Sequence, residues 1–247
     1  MTMVAQQKKS NFFLYVNAKS GLSMRESPSL ESKKTGLLKF NTKIKIIKVL
    51  TTNFETIYDE GTKISSNWVL IENPENPQLT SYIFGGFLQL KDFNDSISID
   101  TSDWVDYKLV NPEISLRQPK NWINITSKND DYYQWNQDTR LITHEDGTDP
   151  TQIVIKETNQ PFREERKRLV SKVWFKKLEE KLINEIIILK CTYFFENGCS
   201  NIIYLHKINN DKTKIVEISG TCNSHPKGYD ETKLIVAESV NFLSEEK

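Results

Sequence analysis

Three histidines (His144, His206, His225) and three cysteines (Cys191, Cys199, Cys222) hold most of the chain's capacity for metal or nucleophile chemistry. Cys222 and His225 have the spacing of half a zinc site, but no second Cys/His pair follows to complete four ligands. The segment reads as a loop beside a hairpin. A cysteine nucleophile needs a thiolate and a base within reach. Cys191 or Cys222 with His206 or His225 supplies those types, yet strand alternation forces no pair to meet. No serine stands in a Gly-x-Ser-x-Gly context, and the nine glycines form no phosphate-cradling loop. Glu164-Glu165 and Asp130-Asp131, adjacent in sequence, read as solvated charge. No residue is therefore assigned a catalytic or metal-binding role, no cofactor is called for, and the chain is not read as an enzyme.

The remaining chemistry is that of contact. The most basic stretch, Phe162 to Lys181, carries Arg163, Arg166, Lys167, Arg168, Lys172, Lys176, Lys177 and Lys181, interrupted by Glu164, Glu165, Glu179 and Glu180. It reads as the wet face of a sheet-packed helix, with a surface for anionic lipid or an acidic partner protein as the alternative. Tyr132-Tyr133-Gln134-Trp135 reads as core, with a stacking platform for sugar as the alternative. Acidic loops at Asn129-Asp130-Asp131 and Glu145-Asp146-Gly147-Thr148-Asp149 suit a basic rim on a partner. Near the N-terminus, Tyr15, Arg25, Trp68, Tyr82 and Phe84 divide between core and groove. The candidate binding set is Tyr15, Arg25, Trp68, Tyr82, Phe84, Asp130 and Asp131.

Elements must position these groups, and composition bounds them. The chain has 247 residues, long enough for two domains, and 37% hydrophobic with 11% aromatic residues builds cores. Net charge is zero; split at residue 98, the halves carry about +3 and −3. Neither is basic enough to point to nucleic acid. No apolar run approaches the ~20 residues of a spanning helix, so no integral membrane segment is expected. Val4-Ala5-Gln6-Gln7 followed by lysines looks like the start of a mature chain after signal cleavage. The expectation is periplasmic or extracellular, with cytoplasmic as the alternative.

In the first half, Asn11 to Asn17 suits a first strand, and Leu22 and Met24 alternate across Ser23 before Pro28 stops the run. Gly36-Leu37-Leu38, Thr42 to Val49, Trp68-Val69-Leu70-Ile71 and Ser81 to Phe84 supply further strands, closed by Gly85-Gly86. The ordered set Gly21-Leu22-Ser23-Met24-Arg25, Pro28-Ser29, Trp68-Val69-Leu70 and Tyr82-Ile83-Phe84-Gly85-Gly86-Phe87-Leu88 resembles the bacterial SH3-like domain. That resemblance implies a small β-barrel that binds peptide or cell-wall material. Thr51 to Asn67 and Asn73 to Thr80 exceed the family's short turns and are read as long, groove-shaping loops.

In the second half, Pro112 to Trp122, an alternating strand ending in Pro119-Lys120-Asn121-Trp122, resembles the start of PsbP-like domains. Arg140–His144 and Thr151–Glu157 read as strands. Glu164–Asn184 reads as one helix, because Leu169, Val170, Val173, Trp174, Leu178 and Leu182 form a stripe. Glu185–Phe195, Asn201–Lys207 and Thr213–Gly220 read as three strands and Glu231–Leu243 as a closing helix. The organisation expected is a tail at 1–11, an SH3-like barrel at 12–90, a linker at 91–106 containing Trp104, and a PsbP-like α/β sandwich at 107–247. The fold class is α+β, an all-β barrel followed by an α/β sandwich with a mainly antiparallel sheet.

Asn197-Gly198 between apolar runs is the strongest short hairpin signal. Centring one hairpin there and the next on Asn209–Lys212 sets Cys199 opposite about residue 222, which makes Cys199–Cys222 the disulfide candidate in an exported chain and leaves Cys191 as a buried thiol. The function expected is a non-catalytic exported binding protein engaging a protein or peptidoglycan partner. The alternatives are an immunity or inhibitor protein that clamps a toxin enzyme, and an SH3-targeted hydrolase with Cys/His chemistry in its second half.

Overall fold

In the computed structural model, residues 12–90, 98–110, 113–120, 123–126, 132–136, 153–158, 160–172, 175–183, 186–196, 198–207, 213–222 and 229–242 are described. Asp130, Asp131, the Glu145–Asp149 loop, His144 and His225 lie outside them. The strands are β1 (Phe12–Val16), β2 (Leu22–Arg25), β3 (Lys34–Leu38), β4 (Lys43–Asp59), β5 (Thr62–Asn73), β6 (Asn76–Phe84) and β7 (Leu88–Gln89). After these come β8 (Val105–Val110), β9 (Glu113–Gln118), β10 (Ile123–Thr126), β11 (Tyr132–Asn136), β12 (Ile153–Thr158) and helix α1 (Phe162–Ser171). The chain finishes with β13 (Phe175–Ile183), β14 (Ile186–Phe194), β15 (Cys199–Lys207), β16 (Thr213–Cys222), helix α2 (Tyr229–Glu238) and β17 (Asn241–Phe242).

The fold class expected above is corrected. Strand dominates, and the described α-helices are two of ten residues each. A single antiparallel sheet runs β10-β11-β12-β16-β15-β14-β13-β5-β4-β1-β7, with β6, β2 and β3 joined to it through β5. A second sheet is β17-β9-β8.

The correction centres on residues 164–184. The helix stops at Ser171, Lys172 is already extended at φ −63° and ψ 132°, and Phe175–Ile183 is a strand. Leu178 and Leu182 are four apart, about one helical turn but also a whole number of strand repeats. Tertiary pairing decides between them. As a strand, the segment bonds β14 from Phe175↔Phe194 to Ile183↔Ile186 and β5 from Lys177↔Ser66 to Glu180↔Lys63. A helix would leave both neighbouring edges open.

The two supposed loops are also strand. Thr51–Asn67 is the outer part of the β4–β5 hairpin, turning at Glu60 (φ 45°) and Gly61 (φ 74°). Two consecutive positive φ values fit the type I′ turn whose twist matches the flanking strands. Asn73–Thr80 is the turn and first arm of the β5–β6 hairpin, paired from Asn73↔Asn76.

Among the described residues, four cores follow from strand alternation. Phe12, Leu14 and Val16 face inward with Leu22, Met24, Ile44, Ile46, Ile71 and Ile83, and this cluster also takes in Phe175 and Phe194 from the second half. Trp68, Phe84 and Ile64 form a smaller cluster beside it. Beyond β13 the sheet has two covered faces. Leu169 of α1 packs on Leu178, Leu189, Cys191, Tyr193, Ile203, Leu205 and Ile215. On the other face, Val236, Ala237 and Val240 pack with Ile155, Ile202, Tyr204, Val216, Leu116 and Trp104. Trp104, placed in the expected linker, is thus a core residue.

The two halves are in direct contact. Asn67 is fully buried; its Nδ2 donates to Leu50 O at 3.2 Å, and its Oδ1 accepts from Lys176 N at 3.3 Å. Ser66 Oγ donates to Lys176 O at 2.8 Å. Gly85 lets the Phe175 ring close in: a Cβ there would lie 2.6 Å from Phe175 Cε2 and 2.7 Å from Asn67 O.

Candidate functional site

Alternation decides which side chains of β13, β14 and β15 turn toward α2. On β14, Lys190, Thr192 and Phe194 do so, while Leu189, Cys191 and Tyr193 turn toward α1. With Lys177 and Glu179 of β13 and Ser200, Ile202, Tyr204 and His206 of β15, they floor two adjoining recesses of about 320 and 330 Å³ that share Glu179 and Lys190. Asp230, Glu231 and Leu234 of α2 wall the first recess, and Asn17, Leu88, Gln89 and Leu90 close it from the first half. Ala237, Glu238 and Val240 wall the second.

The groove is lined with charges of both signs. Lys177 Nζ lies 3.3 Å from Glu179 Oε2, and Lys190 Nζ lies 3.2 Å from Glu238 Oε1 and 5.3 Å from the Tyr204 ring centroid. Tyr204 Oη donates to the same Glu238 oxygen at 3.0 Å. Asp230 and Lys233, both buried, are 3.5 Å apart at the head of α2. Burial alone would raise the Glu179 carboxyl, but Lys177, Lys190 and Lys181 together hold it below the usual range. Burial would lower the Lys190 ammonium, but Tyr204, Glu238 and Glu179 raise it. Burial raises the Tyr204 phenol, and Glu238 adds to that against Lys190. The Glu179 carboxylate and the Lys190 ammonium are thus each held in the charged form, on a floor that mixes polar groups with Phe194 and Ile202.

The Cys/His pairing that geometry can test does not form. Cys191 faces α1 and His206 faces α2, so the sheet itself separates them. Burial pushes the Cys191 thiol up to about 12, far from a thiolate at neutral pH. Burial, with Lys214 beside it, drives the His206 imidazole down to about 4. On the backbone, Cys199 lies opposite Cys222 across β15 and β16, the register that the turn arithmetic gives.

The sequence-selected binding residues scatter. Trp68 and Phe84 are 1% and 3% exposed; they meet edge-on at 6.0 Å, and Trp68 Nε1 donates to Glu55 Oε2 at 2.6 Å. Tyr82 is half-buried opposite Arg25, whose guanidinium donates to Ser32 O. Tyr15 shares the Lys43 ammonium with Phe13, at 5.9 and 4.9 Å from the ring centroids. None of them lines the groove. Of the basic stretch, Lys177 and Lys181 line it, whereas Lys176 turns the other way, its ammonium 5.6 Å from the Phe54 ring centroid. Glu165, expected to be solvated, is buried and bonded to Arg168 at 2.7 Å. Sequence reasoning missed the groove because a helix was expected at 177–181. The Lys-x-Glu-x-Lys alternation there was the signal.

No protein-family model matches the chain, and no curated protein matches it. Among solved structures it is similar to the solution structure of cyanobacterial PsbP (CyanoP) from Synechocystis sp. PCC 6803, at 12% identity and a TM-score of 0.40 over 60% of this chain and 96% of that one. It is also similar to a crystal structure from Bacteroides thetaiotaomicron VPI-5482, at 11% identity and a TM-score of 0.33 over 54% of this chain and 46% of that one. The PsbP-like resemblance thus has a structural neighbour of that name; the SH3-like one is not shown. At this level of likeness, the groove's own chemistry has to carry the functional reading.

Proposed function

We propose that the chain is a non-catalytic binding protein that grips a protein partner across the junction of its halves. The observation that supports this is the first recess, walled by Asn17 and Leu88–Leu90 from one half and by β13, β14 and α2 from the other. A groove shared in this way uses both halves on one ligand, and its paired charges of alternating sign favour a polypeptide surface. The SH3-like resemblance of residues 12–90 agrees with that role. In this reading the protein works outside the cytoplasm and carries a Cys199–Cys222 bridge, for which directly opposed antiparallel positions have suitable Cα separation. Unfolded without reductant, the chain would then show one titratable thiol, Cys191, rather than three.

The test is capture of partners from envelope and secreted fractions by the wild-type chain and by Gln89→Arg and Leu234→Arg, which alter opposite walls of the groove. Loss of one stoichiometric protein partner in both variants is expected. A partner retained by either variant, or retention on cell-wall sacculi with no protein partner, would sink the proposal. A captured hydrolase or toxin would identify the clamp as an inhibitor.

A further inference from the structure

The β4–β5 hairpin has two long edges, and the chain itself fills one. On the β5 side, β13 adds as an antiparallel strand at Lys63–Ser66. On the β4 side, β1 covers only Lys43 to Ile46, and among the described residues no strand lies beside 47–59. Strand geometry nevertheless continues to Asp59. A register shift between Leu50 and Phe54 interrupts this edge, a device that blunts unwanted pairing. Beyond it, Phe54 to Asp59 stays in regular register with β5, from Phe54↔Asn67 to Asp59↔Thr62. Six residues span about 20 Å, the length of an ordinary strand.

The side chains beside this edge say what would add to it. Cross-strand neighbours share a face, so Glu55, Ile57 and Asp59 flank one side and Phe54, Thr56 and Tyr58 the other. The first side offers the Asp59 carboxylate, the Glu55 carboxylate, which also accepts from Trp68 Nε1, and between them Ile57, packed against the Trp68 cluster. The second offers aromatic and β-branched groups, with Tyr58 78% exposed. Two lysines lie by that second side: Lys63, directly opposite Tyr58, pairs with Glu180 at 3.6 Å, and Lys176 holds its ammonium 5.6 Å from the Phe54 ring centroid. A second copy adding antiparallel with Ile57 at the two-fold axis would set Glu55 against Asp59 of its mate. Like charges directly opposite disfavour that.

We propose that Phe54–Asp59 accepts an extended segment of a partner protein as an added antiparallel strand, with Lys or Arg four residues apart against Asp59 and Glu55 and apolar or β-branched residues between them. Backbone bonds supply the grip and the two basic positions the selection. This edge is distinct from the groove and does not depend on it.

The probe is a capped hexapeptide, Lys-Tyr-Val-Thr-Lys-Val, at millimolar excess, against the control Glu-Tyr-Val-Thr-Glu-Val. Amide exchange is followed across the full chain. Slowed exchange at alternate amides of 54–59 is expected with the basic peptide, with about tenfold weaker binding by the acidic one. Asp59→Lys, at an exposed position, should reduce or reverse that preference, while Gln89→Arg should leave it unchanged. Equal effects of both peptides, protection confined to the groove, or no protection at millimolar peptide would overturn the proposal. So would protection, without peptide, of the alternate amides of 54–59 that face away from β5, since the chain itself or a second copy would then hold the edge.

Discussion

Asn67 satisfies the carbonyl of Leu50 on one side and the amide of Lys176 on the other, from a fully buried position. Asn67→Leu keeps the volume and strands both groups, so a loss of about 2–3 kcal/mol is expected in urea titration. Gly85→Ala faces a backbone oxygen that cannot step aside, Asn67 O at 2.7 Å, as well as the Phe175 ring. Overpacking of this kind costs about 1–3 kcal/mol, and the same titration reads it. His206 gives the pH dependence. Its folded value of about 4 lies below the unfolded value of 6.5, so as pH falls the unfolded chain takes the proton first. Stability from this residue is therefore full above 6.5, declines between 6.5 and about 4, and levels off below, a span of roughly 3 kcal/mol at most. His206→Gln should flatten that limb of a stability–pH profile, and an unchanged slope would show that other groups carry it.

At the scale of elements, the Glu60-Gly61 turn holds its first residue at positive φ, where asparagine is more at ease than glutamate. Glu60→Asn is expected to stabilise the chain by about 0.5–1 kcal/mol, visible as a raised melting temperature. The elements differed in how legible they were. Register was readable wherever a turn residue pinned it: Asn197-Gly198 and the following turn put Cys199 opposite Cys222, and β14, β15 and β16 lie close to where alternation placed them. The first-half strands were readable for the same reason, since Leu22/Met24 and Ile44/Ile46 alternate between core and surface. Residues 175–183 were not, because a four-residue apolar interval suits both periods, and the choice rests on β5, more than a hundred residues away. The groove was lost with that strand. Trp68 and Phe84 show the complementary limit: aromatics at the right places in sequence gave no sign of which way they point.

For the whole molecule, a shared sheet and a shared core predict one unfolding event. Phe175 and Phe194 belong to the cluster that Leu14, Ile71 and Ile83 build, so the first half does not keep its core if the second departs. Calorimetric and van't Hoff enthalpies should agree for the wild type, and Asn67→Leu combined with Gly85→Ala should split the transition or broaden it. The β5–β13 pairing also has a consequence in time. Ser66 must wait for Lys177 to appear, an interval of roughly 6–20 s at ordinary rates of synthesis. Throughout that interval the outer part of the hairpin stands outside the ribosome, or a translocation pore, with both edges open, while β1 and β6 cover its inner part. A newborn copy is therefore briefly a template along Lys63–Ser66, the edge that the finished chain covers with its own β13.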